Sequence, residues 1–219
     1  MKHLIMKDIR LIGITNLLLI AIAAAGGTFG LYLEEGFKSN YAYAFVMIVG
    51  LFIVNTTLIA KETKLKSDSL LISLPVRKFD IVKARYLTII IYIFVLLGTI
   101  YLSSNMGKIL FKNMPGSPLG FIEMLIIFSI IIIFFSLYIP FQYHSLRNAQ
   151  MVGSILYMLV ILAPNVLKRF DIGIDDLVFI KKILLMEYGS VAFILIGLGL
   201  ALYIISTFIS RGIYGAREF

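Results

Sequence analysis

The sequence predicts an all-α integral membrane protein, and its composition and patterning both indicate this fold class. Of the 219 residues, 60% are hydrophobic and only 15% are charged, and the mean hydropathy is +0.99. So few polar side chains cannot cover a soluble globule of this length. The apolar residues fall in long runs, and the short alternating segments typical of a membrane barrel do not occur. Because lipid offers no partners to backbone groups, these runs are expected to be helices.

Six runs are long enough to cross a bilayer, whose apolar core takes about 20 helical residues. They are predicted to form one transmembrane domain that covers residues 1–219. The six predicted spans are residues 11–33, 41–60, 86–102, 119–138, 151–167 and 190–210. Before them, Ile5 and Ile9 share one helical face while Lys7 and Arg10 lie on the other. This pattern over residues 1–10 predicts an N-terminal interfacial helix that lies flat on the membrane.

The distribution of charge predicts which ends of the spans face the cytoplasm. With the N-terminus inside, the internal segments hold thirteen Lys and Arg against five Asp and Glu, while the external segments hold seven of each. The whole formal net charge of +8 then lies on one side, as expected for the cytoplasmic side. We therefore expect both termini in the cytoplasm, and membrane lipid around the basic residues. Because these residues flank spans and form no single patch, we expect no nucleic-acid partner.

Several kinds of chemistry are excluded by residues that the sequence lacks. The chain has no cysteine and two histidines, and His3 and His144 lie in different segments without a local carboxylate, so we expect no metal site. No ionisable residue lies at the middle of a predicted span, where ion-coupled transporters and intramembrane hydrolases place theirs. Gly107-Lys108 lacks the upstream glycine and the following hydroxyl of a phosphate-binding loop. We expect a protein that is not an enzyme, with no catalytic residue and no bound cofactor.

The densest polar cluster within a predicted span is Asn55, Thr56 and Thr57. Two interpretations stay open for it. Such groups often make hydrogen bonds between membrane helices, worth about 1 kcal/mol each. They could instead line a translocation path.

Small residues indicate where membrane helices pack closely, either within one chain or across a dimer. One run lies in the first predicted span and one pair in the last. These positions are Ala23, Gly26, Gly27 and Gly30, and then Gly197 with Ala201.

The external segment 165–189 is long enough to hold structure of its own. Leu177, Ile180 and Leu184 share one helical face, which predicts a short helix that re-enters the outer leaflet.

The charged loop 61–85 between the second and third predicted spans is the most informative segment. Seven basic residues in it place it in the cytoplasm. Three leucines of this loop share one helical face, namely Leu70, Leu71 and Leu74. Pro75 ends the predicted helix, and Asp80 is the predicted cap of the next one. A short amphipathic helix of this kind is typical of an element that binds another protein.

The chain resembles the ABC-2 type permease family of bacterial exporters over essentially its whole length. The resemblance is carried by the six-span layout, the run Leu70-Leu71-Ile72-Ser73-Leu74-Pro75-Val76 and the basic tail Ser210-Arg211-Gly212-Ile213-Tyr214. In that family the first run is a coupling helix that lies in a groove of a separate cytoplasmic ATPase subunit, which holds ATP and magnesium. The resemblance implies ATPase contacts at Asp68, Leu70, Leu71, Ser73, Leu74, Pro75, Val76 and Arg77. Arg77 departs from the family's SLPVSR pattern, because it follows Val76 directly.

The resemblance also implies a function. It indicates a permease subunit of an ATP-driven exporter in a bacterial cell membrane, paired with a second permease as a homo- or heterodimer. The permeases of phenol-soluble modulin exporters are similar in size and layout, which implies short amphipathic peptides as cargo. The alternative is a membrane scaffold or immunity protein that binds a toxic peptide or a sensor partner and transports nothing. A scaffold of this kind would not require a coupling loop between its second and third spans.

The predicted topology can be tested by labelling single cysteines in this cysteine-free chain. Because the basic loop 61–85 should be internal and the segment 165–189 external, Asp175→Cys should react with an impermeant thiol reagent on intact cells and Ser67→Cys should not. Permeabilised cells provide the control, in which both sites should react. Labelling of Ser67→Cys from outside would reverse the predicted orientation.

Overall fold

The computed structural model describes residues 2–33, 37–65, 77–144, 151, 153–154, 158 and 188–216. Its helices are Lys2–Ile12 (α1), Thr15–Phe29 (α2), Phe37–Lys64 (α3), Lys78–Leu110 (α4), Phe121–His144 (α5) and Tyr188–Gly215 (α6). A 3-10 turn, Gly30–Tyr32, continues α2. No strand occurs within these ranges, and the predicted all-α class is confirmed.

Five described helices are long and apolar enough to cross a membrane. They cover Thr15–Tyr32, Ser39–Lys64, Lys78–Leu110, Phe121–His144 and Gly189–Gly215, and they correspond to the first, second, third, fourth and sixth predicted spans. The fifth predicted span, 151–167, lies outside the described residues except at four positions, which are helical. The predicted re-entrant helix of segment 165–189 also lies outside them.

The helices on either side of the charged loop are longer than hydropathy predicts. Lys61 to Lys64 belong to α3, and α4 begins at Lys78, with Arg77 at its N-cap position. The prediction that Asp80 caps this helix is therefore wrong. Asp80 lies in the first turn of α4, where the positive end of the helix dipole favours a carboxylate without a capping role.

Residue contacts divide the chain into two compact units. The first unit is Met1–Met124 with Gly215–Phe219, and the second is Leu125–Tyr214. Helices α1 to α4 therefore belong to the first unit, while the second contains most of α5 and of α6.

Glycines bring α2 close to both of its neighbours in the first unit. A Cβ atom at Gly26 would lie 2.5 Å from Val46 of α3, and one at Gly27 would lie 2.9 Å from the Ile100 carbonyl oxygen of α4. A Cβ atom at Gly30 would overlap the Tyr43 ring. The close packing predicted for these glycines is confirmed, because any larger side chain would push the helices apart.

A two-residue turn, which we call the elbow, separates α1 from α2. Gly13 has a φ of +58°, a left-handed conformation that glycine adopts without steric cost at a helix end. Across this elbow, the Asn16 side-chain amide donates to the Ile9 carbonyl at 3.1 Å, and the Tyr92 hydroxyl of α4 donates to Asn16 Oδ1 at 2.6 Å. Lys2–Ile12 therefore form a helix separate from the first span, and the position of this helix on the membrane surface stays a prediction.

The loop 111–120 is bound to the opposite end of the first unit. The Gly116 amide donates to the Leu31 carbonyl at 2.8 Å, and Lys108 donates to the Met114 and Gly116 carbonyls at 2.6 and 2.9 Å. Tyr43 donates to the Ser117 carbonyl at 2.9 Å. Tyr43 is fully buried, so this hydrogen bond lies inside the first unit.

In the second unit, α5 and α6 run parallel. A Cβ atom at Gly199 would lie 3.4 Å from the Ser129 carbonyl oxygen. Further along both helices, the Ser206 hydroxyl donates to the Ser136 carbonyl, and further still the ring centroids of Tyr143 and Tyr214 lie 5.3 Å apart. The contacts advance in the same direction along both helices, so the end of α5 and the start of α6 lie at opposite ends of the pair.

Gly199 packs closely against α5 in this part of the chain. No described atom lies within 4 Å of a Cβ built at Gly197, whereas Gly199 contacts α5. The packing predicted for Gly197 with Ala201 stays a prediction, because it was expected either within one chain or across a dimer.

We expect Gly27→Ala to destabilise the first unit relative to Gly98→Ala. Both glycines lie inside helices and gain the same helix propensity, but only the Gly27 methyl group would meet α4 backbone, while nothing lies within 4 Å of a Cβ at Gly98. Overpacking of this kind costs about 1–3 kcal/mol. Thermal unfolding of the two detergent-solubilised variants measures the difference, and equal midpoints would contradict the close contact between α2 and α4.

Candidate functional site

The structure describes the residues on either side of the predicted ATPase-binding segment. Seven of the predicted contact residues, namely Asp68, Leu70, Leu71, Ser73, Leu74, Pro75 and Val76, lie outside the described residues. The eighth, Arg77, is exposed and has an extended backbone immediately before α4. On the other side, α3 ends at Lys64 and Leu65 forms a turn. The site can therefore be described at its base, where α3 and α4 emerge.

Four charged side chains from three helices meet at this base, and we call them the charged ring: Lys7 and Asp8 of α1, Glu62 of α3 and Arg85 of α4. The Arg85 guanidinium pairs with the Glu62 carboxylate, and its Nη1 lies 3.9 Å from Asp8 Oδ2. Lys7 Nζ lies 3.1 Å from Glu62 Oε1 and 3.1 Å from Asp8 Oδ1. Cations and anions alternate around the ring, so each charge has an opposite charge on both sides.

Two members of the charged ring, Asp8 and Arg85, are withdrawn from water. Asp8 is only 4% exposed and Arg85 only 8%. Removing ions from water costs several kcal/mol per ion unless opposite charges and hydrogen bonds replace the lost hydration. Here two cations balance two anions, and the Thr88 hydroxyl donates a further hydrogen bond to Asp8 Oδ2 at 3.3 Å. Because of this pairing, the charges can stay buried while holding three helices together.

A neighbouring lysine binds the end of α1 to the same turn of α3. Lys61 Nζ donates to the carbonyl oxygens of Leu11 and Ile12. The last carbonyls of a helix lack partners within the helix and carry a partial negative charge, which an ammonium group satisfies. The last turn of α3 therefore holds α1 twice, through Glu62 and through Lys61.

The local sequence explains why the ring forms where it does. Asp8 lies on the face of α1 that also carries Ile5 and Ile12, because residues three and four apart share a face. Arg85 lies on the face of α4 that carries Val82 and Ile89 in the same way. Packing of these apolar faces, with Ile12, Val82 and Ile89 almost fully buried, carries the two charges inward together.

Sequence reasoning missed the charged ring, because it counted all four residues as solvated cytoplasmic charges. A usable signal was present in the sequence. A carboxylate amid the isoleucines of one amphipathic helix and an arginine amid the apolar face of another indicate a buried ion pair, since each charge then needs an opposite partner.

The predicted path residues Asn55, Thr56 and Thr57 lie in the second half of α3, within about two helical turns of the ring residue Glu62. Asn55 is buried, at 1% exposure, and the Thr56 hydroxyl donates to the Phe52 carbonyl of its own helix at 2.8 Å. Thr57 is half-buried. Their role as path-lining residues stays a prediction.

Among the described residues, no group of three or more His, Asp or Glu side chains could hold a metal ion. The charged ring contains ion pairs already matched one to one, and its geometry joins helices. Its place at the base of the loop 61–85 makes it the candidate functional site.

Comparison with known proteins assigns the family. A sequence model described as ABC-2 family transporter protein matches residues 3–215, a range that includes the described helices except Lys2 and also includes the coupling-like segment. No curated protein and no solved structure matches the chain, so the closer resemblance to phenol-soluble modulin exporter permeases stays a prediction. Since the match covers nearly the whole chain and the five apolar helices provide a membrane domain, this protein belongs to the ABC-2 transporter permease family.

Proposed function

We propose that this ABC transporter permease works in the outward direction, as the membrane subunit of an exporter that a separate cytoplasmic ATPase drives. The observation that carries the proposal is the family match over residues 3–215. Within that range, the run from Leu70 to Val76 has the sequence of a coupling helix. The ATPase subunit binds ATP and magnesium, and this chain provides the membrane path.

The helices at the base of the coupling segment support this role. Helix α3 ends at Lys64 and α4 begins at Lys78, and both are continuous from these ends through the candidate spans. Only residues 65–77 separate the two helices. A displacement of the ATPase-bound segment would therefore reach the membrane through two stiff helices and no long linker.

The character of the spans supports an amphipathic or apolar cargo, such as short peptides. The described spans carry Asp, Glu, Lys and Arg only near their ends. Charged groups at mid-membrane mark proton or ion pathways in other transporters. In this permease, the free energy for transport would come from ATP hydrolysis on the partner and would need no coupling ion.

The parallel arrangement of α5 and α6 supports a six-span permease. Because the end of α5 and the start of α6 lie at opposite ends of the pair, the intervening chain has to cover the length of a helix, and the predicted span 151–167 would do so. Six spans place both termini on the cytoplasmic side of the bacterial cell membrane. A second permease, identical or different, would complete the path as a homo- or heterodimer.

A scaffold or immunity protein without transport activity is the second candidate. It would use the same apolar spans to bind a toxic peptide or a sensor partner. Co-purification followed by mass spectrometry distinguishes the two, because only the permease is expected to bring an ABC ATPase with it in stoichiometric amount.

We predict that Leu74→Arg weakens association with the co-purifying ATPase by at least about tenfold. Burying a leucine in a partner's groove is worth roughly 1.5–3 kcal/mol, and about 1.4 kcal/mol corresponds to one decade in affinity. Membrane insertion should be unchanged, because Leu74 lies outside the predicted spans. Pull-down of the ATPase by the detergent-solubilised permease measures the association.

Ser69→Arg provides the matched control, since it adds the same charge to the opposite face of the predicted helix. It should leave association close to the native level. Native association and native ATPase stimulation in a well-expressed Leu74→Arg protein would refute the coupling-helix assignment and favour the scaffold.

A further inference from the structure

We propose that the charged ring is the joint that carries movement of the coupling segment to α1 and α2, with Glu62 and Arg85 as positioning residues. The inference rests on the proposed function, because it takes residues 66–76 as the ATPase-binding segment. It adds a distinct claim: binding of the ATPase and transmission of its movement depend on different residues.

An ion pair joins the two helices at the ends of the coupling segment. Glu62 lies in the last turn of α3 and Arg85 lies in the first turns of α4, and their side chains form an ion pair. The pair connects the helix that enters the segment to the helix that leaves it. Bending of one helix alone would break a buried ion pair, so both helices are expected to move together.

The second step extends the movement to α1. This helix contributes both a cation and an anion to the ring, since Lys7 pairs with Glu62 and Asp8 lies beside Arg85. The end of α1 is held separately by Lys61. Because contacts of both signs hold α1, a displacement of α3 and α4 in any direction carries α1 along.

The third step reaches α2 and the membrane interior. Asn16, in the first turn of α2, bonds both the Ile9 carbonyl of α1 and the Tyr92 hydroxyl of α4. Further along α2, Gly26 and Gly27 hold it against α3 and α4. The loop 111–120 then fastens the opposite end of the unit through Gly116. Movement applied at the ring therefore acts on all four helices.

If the charged ring only stabilised the fold, its four buried or half-buried charges would be harder to explain. Apolar side chains of similar volume usually hold helices together at equal or lower energetic cost than a buried ion-pair network. Ion pairs add a fixed register between the joined elements, which is the best-attested use of buried charges. A joint between a moving segment and its helices needs such a register.

The test compares two readouts of the purified complex with its co-purifying ATPase: association, and stimulation of ATP hydrolysis by the permease. Glu62→Gln keeps the shape of the side chain and removes its charge. We expect the association of this variant with the ATPase to stay within about twofold of native. Stimulation should fall about fivefold or more, because about fivefold is the lower end of the coupling found between sites in proteins. The conservative exchange Glu62→Asp keeps the negative charge between Lys7 and Arg85 and should retain most of the stimulation.

Two further variants make the outcome decisive. Lys64→Gln removes a charge from the exposed side of the same turn of α3 and should change neither readout. The Lys7 side chain is 30% exposed, so the amide of Lys7→Gln stays in contact with water and this variant should fold even if Glu62→Gln does not. Lys7→Gln should lose stimulation to the same extent as Glu62→Gln and keep its association with the ATPase.

Native stimulation in Glu62→Gln or Lys7→Gln would overturn the proposal. A loss of association that accounts for the whole loss of stimulation would also overturn it, because the ring would then act only on binding. Failure of the proposed function would give a different result, because Leu74→Arg would then bind the ATPase normally.

Discussion

A charge that is kept from water needs an opposite charge beside it. This constraint governs the end of the first unit at which α3 and α4 join the coupling segment. Packing of the apolar faces of α1 and α4 brings Asp8 and Arg85 inside, and the two ions then require Lys7 and Glu62 to accompany them. The same four residues fix where three helices meet. The charged ring consequently has no net charge of its own, although the chain carries a net charge of +8.

Beyond the ring, the interior is assembled by close backbone approach and by hydrogen bonds to carbonyl groups. In lipid, the hydrophobic effect does not drive helices together, so small residues and polar side chains do. Gly27 lets α2 approach the α4 backbone, and the Ser206 hydroxyl reaches a carbonyl of α5 in the second unit. Both contacts use backbone atoms, which are fixed in a helix. Each unit is therefore built from contacts that tolerate little change in residue size.

The sequence predicts those parts of the fold that depend on local properties. Hydropathy located five spans that the structure describes as helices, and small residues located the packing face of α2. The helix ends beside the loop were predicted too short, because Lys61 and Arg85 count as polar in a hydropathy window but are held in their helices by tertiary partners. The ring was not predicted for the same reason, since Lys7 and Glu62 are 55 residues apart in sequence. Pairing across that distance depends on how the helices pack. Leu70, Leu71 and Leu74 remain known through the sequence pattern alone.

The central claim is that an ATPase drives this permease through its coupling segment. Site-specific photo-cross-linking from position Leu71 in intact cells tests it most directly, because a short photoreactive side chain there reaches only what touches that face. The expected result is one dominant cross-linked product that contains an ABC ATPase subunit, and that is lost when Leu74→Arg is introduced in the same chain. Cross-links to lipid or to non-ATPase proteins alone, with the permease correctly inserted, would contradict the claim.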